Sequence, residues 1–210
     1  MRAYLYVLDT LADWEVGYLT AELHSGRYLD PEQGGVVLAR IGATVAPVTT
    51  MGGMRIAPEA CFADVTFAAG DLLLLPGADT WQDGTHGAML AALPSLLEAG
   101  VVVAAICGAT TALASAGILD HRDHTSNDAT FLRMFSPGYH GADRYQERPA
   151  VVDGTLITAS GLAPLEFAEA VFRTTGVMRP ATLGAWYQLH KTGAPGFFHA
   201  LMESMAAGAG

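Results

Sequence analysis

The stretch "VVVAAICGATTALASAG", residues 101–117, changes character at one residue. Up to Ile106 it is β-branched and apolar; beyond Cys107 it is small and Ala-rich. Val and Ile suit a strand, whereas Ala is the strongest helix former. The change predicts a strand over 101–106 that turns at Cys107 into a helix over 109–116, with Gly117 as its C-cap. A strand, a cysteine and a helix in this order form the geometry of a nucleophile elbow, whose sharp turn demands small neighbours. Ala104, Ala105, Gly108 and Ala109 meet that demand.

Outward from the elbow, short β-like runs alternate with helical stretches. "AYLYVL" (3–8) reads as a strand and "ADWEVGYLTAELHSG" (12–26) as a helix stopped by Gly26. "GVVLARIGATVAPV" (35–48) reads as one bent strand or a strand pair, and "GGMRIAPEACFADV" (52–65) as a turn with short extended pieces. "DLLLLPGADTW" (71–81) is a buried strand running into a Pro-Gly loop, and "GAMLAALPSLLEAG" (87–100) is a helix with Pro94 inside, kinked there or preceded by a turn. "NDATFLRMF" (127–135) opens on an N-cap, Asn127 or Asp128. "AVVDGTLITA" (150–159) is an Asp-Gly hairpin, and "PLEFAEAVFRTTG" (164–176) has Pro at its start and Gly after its end.

The sum is a single α/β domain over 1–210, with 179–210 a helical C-terminal extension. Uniformly apolar strands predict a mostly parallel central sheet with helices on both faces. Sites in such sheets lie beyond the C-terminal strand ends. Three loops leave such ends: the one after Leu8, the one at Pro76, Gly77 and Ala78, and the turn at Cys107.

Composition narrows the partners. The net charge is −10, and the ten Arg and one Lys are scattered singly, which argues against nucleic acid. The N-terminal apolar run is about seven residues and acids follow at once, so it does not read as a signal peptide. No segment approaches the ~18 apolar residues of a membrane helix. The expectation is a cytoplasmic protein with two free thiols, Cys61 and Cys107, and without a metal or cofactor site.

At the elbow, the Cys107 thiol would sit at a helix N-terminus, where the partial positive charge favours thiolate. The Gly108 amide would face the site, and Gly77 or Ala78 could add a second donor, making an oxyanion pocket. A cysteine here can also be a small core hydrophobe, which is how Cys61 reads.

"AAICGATTALASAGILD", "LLLLPGA", "VVDGTLITASGLAPLEFA" and an acid in the first helix resemble the ThiJ/PfpI superfamily, close to its intracellular protease and amidase branch. The resemblance implies a flavodoxin-like three-layer sandwich, a homodimer and a reactive Cys107. It also implies that Glu15, in "DWE", hydrogen-bonds the sulfur. A buried protonated carboxyl can donate to a thiolate. The pattern departs from the family where a base would stand. Gly108 follows the cysteine directly, and Asn127 occupies the aligned position of a histidine in the deglycase branch. His124 lies three residues earlier and, on a strand, faces away from Asn127. His140, in a loop, could reach the site from outside. Asp79, Trp81 and Tyr139 are pocket candidates, and Arg55, Arg122 and Arg144 are candidate partners for a substrate carboxylate.

Three readings follow. In the first, Cys107 attacks the carbonyl of an amide, a peptide or a small glyoxal, with Glu15 managing the proton. In the second, Cys107 is a redox or stress sensor oxidised to sulfenic or sulfinic acid. In the third, the fold binds a regulatory small molecule without chemistry.

Overall fold

Seven strands form one sheet in the computed structural model, which describes residues 1–206. The strands in chain order are β1 (Arg2–Tyr6), β2 (Val37–Gly42), β3 (Val48–Thr49), β4 (Arg55–Ile56), β5 (Ala60–Cys61), β6 (Leu72–Leu75), β7 (Val102–Ile106), β8 (Ala150–Asp153) and β9 (Leu156–Ala159). The helices are α1 (Asp13–Ser25), α2 (Gly87–Glu98), α3 (Gly108–Ser115), α4 (Ala129–Phe135), α5 (Pro164–Thr175), α6 (Pro180–Thr192) and α7 (Pro195–Ala206). The main sheet runs β5-β2-β1-β6-β7-β9-β8, with β3 and β4 forming a separate small ladder. Its pairings are parallel except at the β8 edge, where the Asp-Gly hairpin turns the chain back.

The central strands explain their own composition. Each residue of β6 (LLLL) and β7 (VVAAI) is buried, because helices cover both faces and neither face can be polar. The Leu74–Ala104 and Leu75–Ala105 pairs set β6 and β7 in a register that brings their C-terminal ends together. α1 packs against α5, α5 against α6, and α6 against α7; α3 packs against β7 and α4. This is the expected three-layer α/β sandwich.

Local departures have local causes. β1 ends at Tyr6 rather than at residue 8, although Val7 N–H still donates to Ile41 O. Residues 35–48 divide into β2 and β3, which join different sheets. α2 runs through Pro94 without a break. Ala116 is the C-cap of α3, and Gly117 follows it in the left-handed region at φ 71°. The strand expected around His124 is only a single bridge, His124 to Tyr145. Asp128, not Asn127, caps α4, its carboxylate accepting the N–H groups of Thr130 and Phe131.

The C-terminal helices are fastened to the body through Trp186, which is wholly buried. Its ring meets Phe172 and Tyr18 edge-on, and its Nε1–H donates to Glu22 Oε1 at 3.1 Å. Glu22, also buried, accepts from the Arg27 guanidinium on both oxygens. One indole thus fills space between α1, α5 and α6 and completes a buried carboxylate's hydrogen bonds. The last four residues of the expected extension, 207–210, lie outside the described residues. Trp186→Ala is expected to lower unfolding free energy by about 3–5 kcal/mol, read by urea denaturation. Trp186→Phe, which keeps most of the ring, is expected to cost clearly less.

Candidate active site

The loops after β6, β7 and β9 converge at one end of the sheet, and α1 follows β1 beside them. Cys107 sits between β7 and α3 with φ 57° and ψ −122°, a conformation that L-residues rarely adopt. Such a backbone costs on the order of 1–3 kcal/mol and persists only when its surroundings hold it. Here Cys107 N–H donates to Ala159 O at 3.0 Å, and Cys107 O accepts from Thr110 N–H and from Thr110 Oγ1 at 2.6 Å. The strain turns the sulfur out of the core and into a cleft of about 400 Å³.

Glu15, in the first turn of α1, enters the same place from the neighbouring loop. It is 1% exposed. Oε2 accepts the Gly77 N–H at 2.6 Å. Oε1 is buried without a hydrogen bond of normal geometry. The group it faces is the Cys107 thiol, near enough for each to alter the other's proton affinity. Burial pushes the Glu15 carboxyl up to about 7, although the Gly77 N–H and the thiol pull the other way. Burial, together with the Glu15 charge, also pushes the Cys107 thiol up to about 11, against the Asn127 and Gly108 donors. The lowered thiol expected from the helix N-terminus is therefore corrected. The helix end favours thiolate, but burial and an adjacent carboxylate outweigh it.

Glycines make the convergence possible. A Cβ on Gly77 would lie 2.6 Å from Glu15 Oε2 and 2.9 Å from Cys107 Cβ. A Cβ on Gly161 would lie 2.8 Å from Cys107 Sγ and 3.0 Å from Glu15 Oε1. One on Gly108 would lie 2.9 Å from Ala78 O. Backbone therefore approaches the sulfur and the carboxyl more closely than any side chain would permit.

Asn127 supplies the remaining contact. Its Nδ2 donates to Cys107 Sγ at 3.3 Å, and its Oδ1 accepts Gly161 N–H at 2.9 Å. The second bond fixes which end of the amide faces sulfur. Next to it, Ser126 Oγ pairs with Thr110 Oγ1 at 2.6 Å, tying this segment to α3.

The sequence-derived candidates divide clearly. Cys107, Glu15, Gly77, Ala78, Gly108 and Asn127 line one cleft, with Asp79 and Trp81 beside them. The Gly77 N–H is given to Glu15 and the Gly108 N–H faces the Cys107 sulfur. His124 lies outside the cleft. It is fully buried, with Nδ1 against Arg122 O and Nε2 against Tyr139 OH, so Tyr139 is also accounted for elsewhere. His140 is exposed and outside the cleft, and its backbone N–H is held by Asp120. Arg55, Arg122 and Arg144 do not line the cleft.

Sequence reasoning missed Gly161, which follows β9. The signal was available, since that loop also leaves the C-terminal end of a parallel strand. It also missed the apolar wall formed by Trp14, Met51, Phe131 and Phe135. Their spacing in sequence gives no hint that they meet. Among the described residues, no group of three or more His, Cys, Asp or Glu is placed to hold a metal, and no helix is long and apolar enough to cross a membrane.

Comparison with known proteins agrees with this geometry. The DJ-1/PfpI family pattern matches residues 1–174. The crystal structure of a thiJ/pfpI family protein from Bacillus anthracis superposes with a TM-score of 0.94 at 46% identity, covering 97% of this chain and 96% of that one. The Bacillus subtilis (strain 168) protein called "Uncharacterized protease YoaZ" is 43% identical over 204 residues, 97% of each chain. The "Glutathione-independent glyoxalase DJR-1.2" of Caenorhabditis elegans is 25% identical over 163 residues, covering 72% of this chain and 83% of that one. With the family pattern spanning the sheet, the elbow and α1, and with a Bacillus relative matched almost end to end, the chain belongs to the DJ-1/PfpI family.

Proposed function

We propose that the protein is an enzyme in which Cys107 adds to the carbonyl carbon of a small substrate and Glu15 carries the proton. The observation that supports this most is the strained elbow itself. It presents a sulfur to an open cleft, against a buried carboxyl and a fixed amide donor.

The pair Glu15 and Cys107 titrates as a unit. Between about 7 and about 11 it holds one proton, on the sulfur, with the carboxyl ionised. As the sulfur attacks, the S–C bond forms and the thiol proton passes to Glu15 Oε1. The carbonyl π pair moves to oxygen, where the Ala78 and Gly108 amides can receive it. Asn127 Nδ2 holds the sulfur in line throughout. Glu15 is thus the base for the thiol, and no imidazole is needed for the addition.

The names of the relatives point to a protease in one case and a glyoxalase in another. Both reactions begin with this addition. The cleft favours an aldehyde such as a 2-oxoaldehyde over an amide. An aldehyde carries no leaving group, whereas an amide must also break its C–N bond, with the proton that Glu15 took from the thiol delivered to the departing nitrogen. The cleft offers Glu15 alone within reach of the sulfur and no histidine among the described residues.

Two outcomes are expected. On panels of amides, esters and 2-oxoaldehydes, turnover appears with the aldehydes and is abolished by Cys107→Ser. Absence of Cys107-dependent turnover on every panel overturns the reading, and peroxide-driven oxygen addition at Cys107, seen by intact mass, would then favour the redox alternative.

The second outcome concerns pH. Below about 7 both groups are protonated and the base is missing; above it the carboxylate is present. The rate constant kcat/KM is therefore expected to rise with unit slope through about pH 7, well below the range in which the thiol alone would ionise. Glu15→Gln is expected to remove that limb and lower kcat/KM at pH 8 by about 10²-fold or more.

A further inference from the structure

We infer that the cleft selects uncharged carbonyl compounds bearing an aromatic or bulky apolar substituent, and rejects those bearing a carboxylate. The inference rests on Cys107 being the reacting centre and goes on to the part of the substrate that does not react. The apolar part of the cleft lining is built from Trp14, Met51, Phe131 and Phe135. Phe131 and Phe135 are four residues apart on α4, so both project from one face of the helix. Their rings lie 4.9 Å apart at 53°, a surface on which a third ring can pack. Three of the four side chains keep a large apolar surface open: Trp14 is 56% exposed, Phe135 46% and Met51 45%. Large apolar groups left open around a reactive sulfur mark a binding wall.

The wall is fixed to the reacting groups, not merely near them. Asp128 caps α4, and its neighbour Asn127 holds the sulfur. Trp14 is next to Glu15 in α1, and its Nε1–H donates to Gly161 O at 3.4 Å. The N–H of the same Gly161 holds Asn127. An apolar arm on Phe131 and Trp14 would therefore be registered against the Cys107 sulfur.

The charges point the same way. Among the described residues, no Lys, Arg or His lines the cleft, while Glu15 and Asp79 do. Arg133 lies on α4, two residues from Phe131 and Phe135, and so off their face. A substrate carboxylate would meet two like charges with no cation to offset them, inside a chain of net charge −10.

The test is alkylation of Cys107 at pH 8 in the full chain carrying Cys61→Ser, so that the intact mass reads one thiol. It compares 2-chloroacetamide, N-benzyl-2-chloroacetamide and chloroacetate, each scaled to its rate with free glutathione. The benzyl reagent is expected to saturate and to react about 10- to 100-fold faster than its parent at low concentration. Chloroacetate is expected to fall about tenfold or more below the parent. In Phe131→Ala, and separately in the more exposed Phe135→Ala, the benzyl-to-parent ratio is expected to fall towards one. A benzyl ratio near one with the wall unaltered overturns the inference, as does a ratio unchanged in both variants or chloroacetate matching the parent. Alkylation requires no turnover, so the two proposals fail separately. Selective benzyl labelling without turnover of any substrate would remove the enzymatic reading alone. Turnover of small aldehydes without benzyl selectivity would remove this inference alone.

Discussion

Burying the Glu15 carboxyl against the Cys107 sulfur is the constraint that the surrounding backbone is arranged to satisfy. A carboxyl out of water needs donors. The Gly77 N–H at 2.6 Å is one, and it can come so near only because residue 77 has no Cβ. The sulfur needs the same treatment on its other side, where Gly161 comes within reach of both Sγ and Oε1. Gly77, Gly108 and Gly161 follow β6, β7 and β9, three strands adjacent in the sheet. The parallel order of those strands is therefore what delivers three glycine backbones to one point, and the elbow strain at Cys107 is held by the last of them through Ala159 O.

The balance of effects at the sulfur is decided by size. A helix N-terminus is worth about 0.3–1 kcal/mol to an anion, less than one pKa unit. Burial and the Glu15 charge work against it and carry the thiol from its ordinary 9.0 up to about 11. A cysteine at such an elbow is therefore not a free-standing thiolate. In the proposed mechanism the proton is taken by a carboxyl that burial has itself brought up to about 7. The same burial that suppresses the thiolate thus raises the proton affinity of Glu15, which is what the proposed base role asks of it.

Much of this was legible in the sequence. The runs LLLL and VVAAI could only be strands covered on both faces, and the small residues around Cys107 could only serve a tight turn. The placement of Glu15 followed from resemblance to a family, because nothing local in the sequence distinguishes it from Asp13, a half-buried acid of the same turn that accepts the Gly52 N–H instead. What stayed hidden was long-range. That the Gly77 N–H would go to a carboxyl 62 residues away, and that Gly161 would close the site, depends on strand order and register, which local pattern does not encode. His124 misled for the same reason. Its alternation argument assumed a strand, whereas the segment makes a single bridge and the imidazole is absorbed by Tyr139 and Arg122.

Asn127 ties the polar and apolar halves of the cleft together. An imidazole at its place could move a proton; a carboxamide cannot, and donates one fixed hydrogen bond instead. Of the side chains in contact with the sulfur, Glu15 is then the one that can carry a proton. Because Asn127 directly precedes the cap of α4, the residue that fixes the sulfur also fixes where Phe131 and Phe135 stand. The amide contact to the sulfur and the aromatic wall are in this sense one structural feature, and a change in the α4 cap would disturb both.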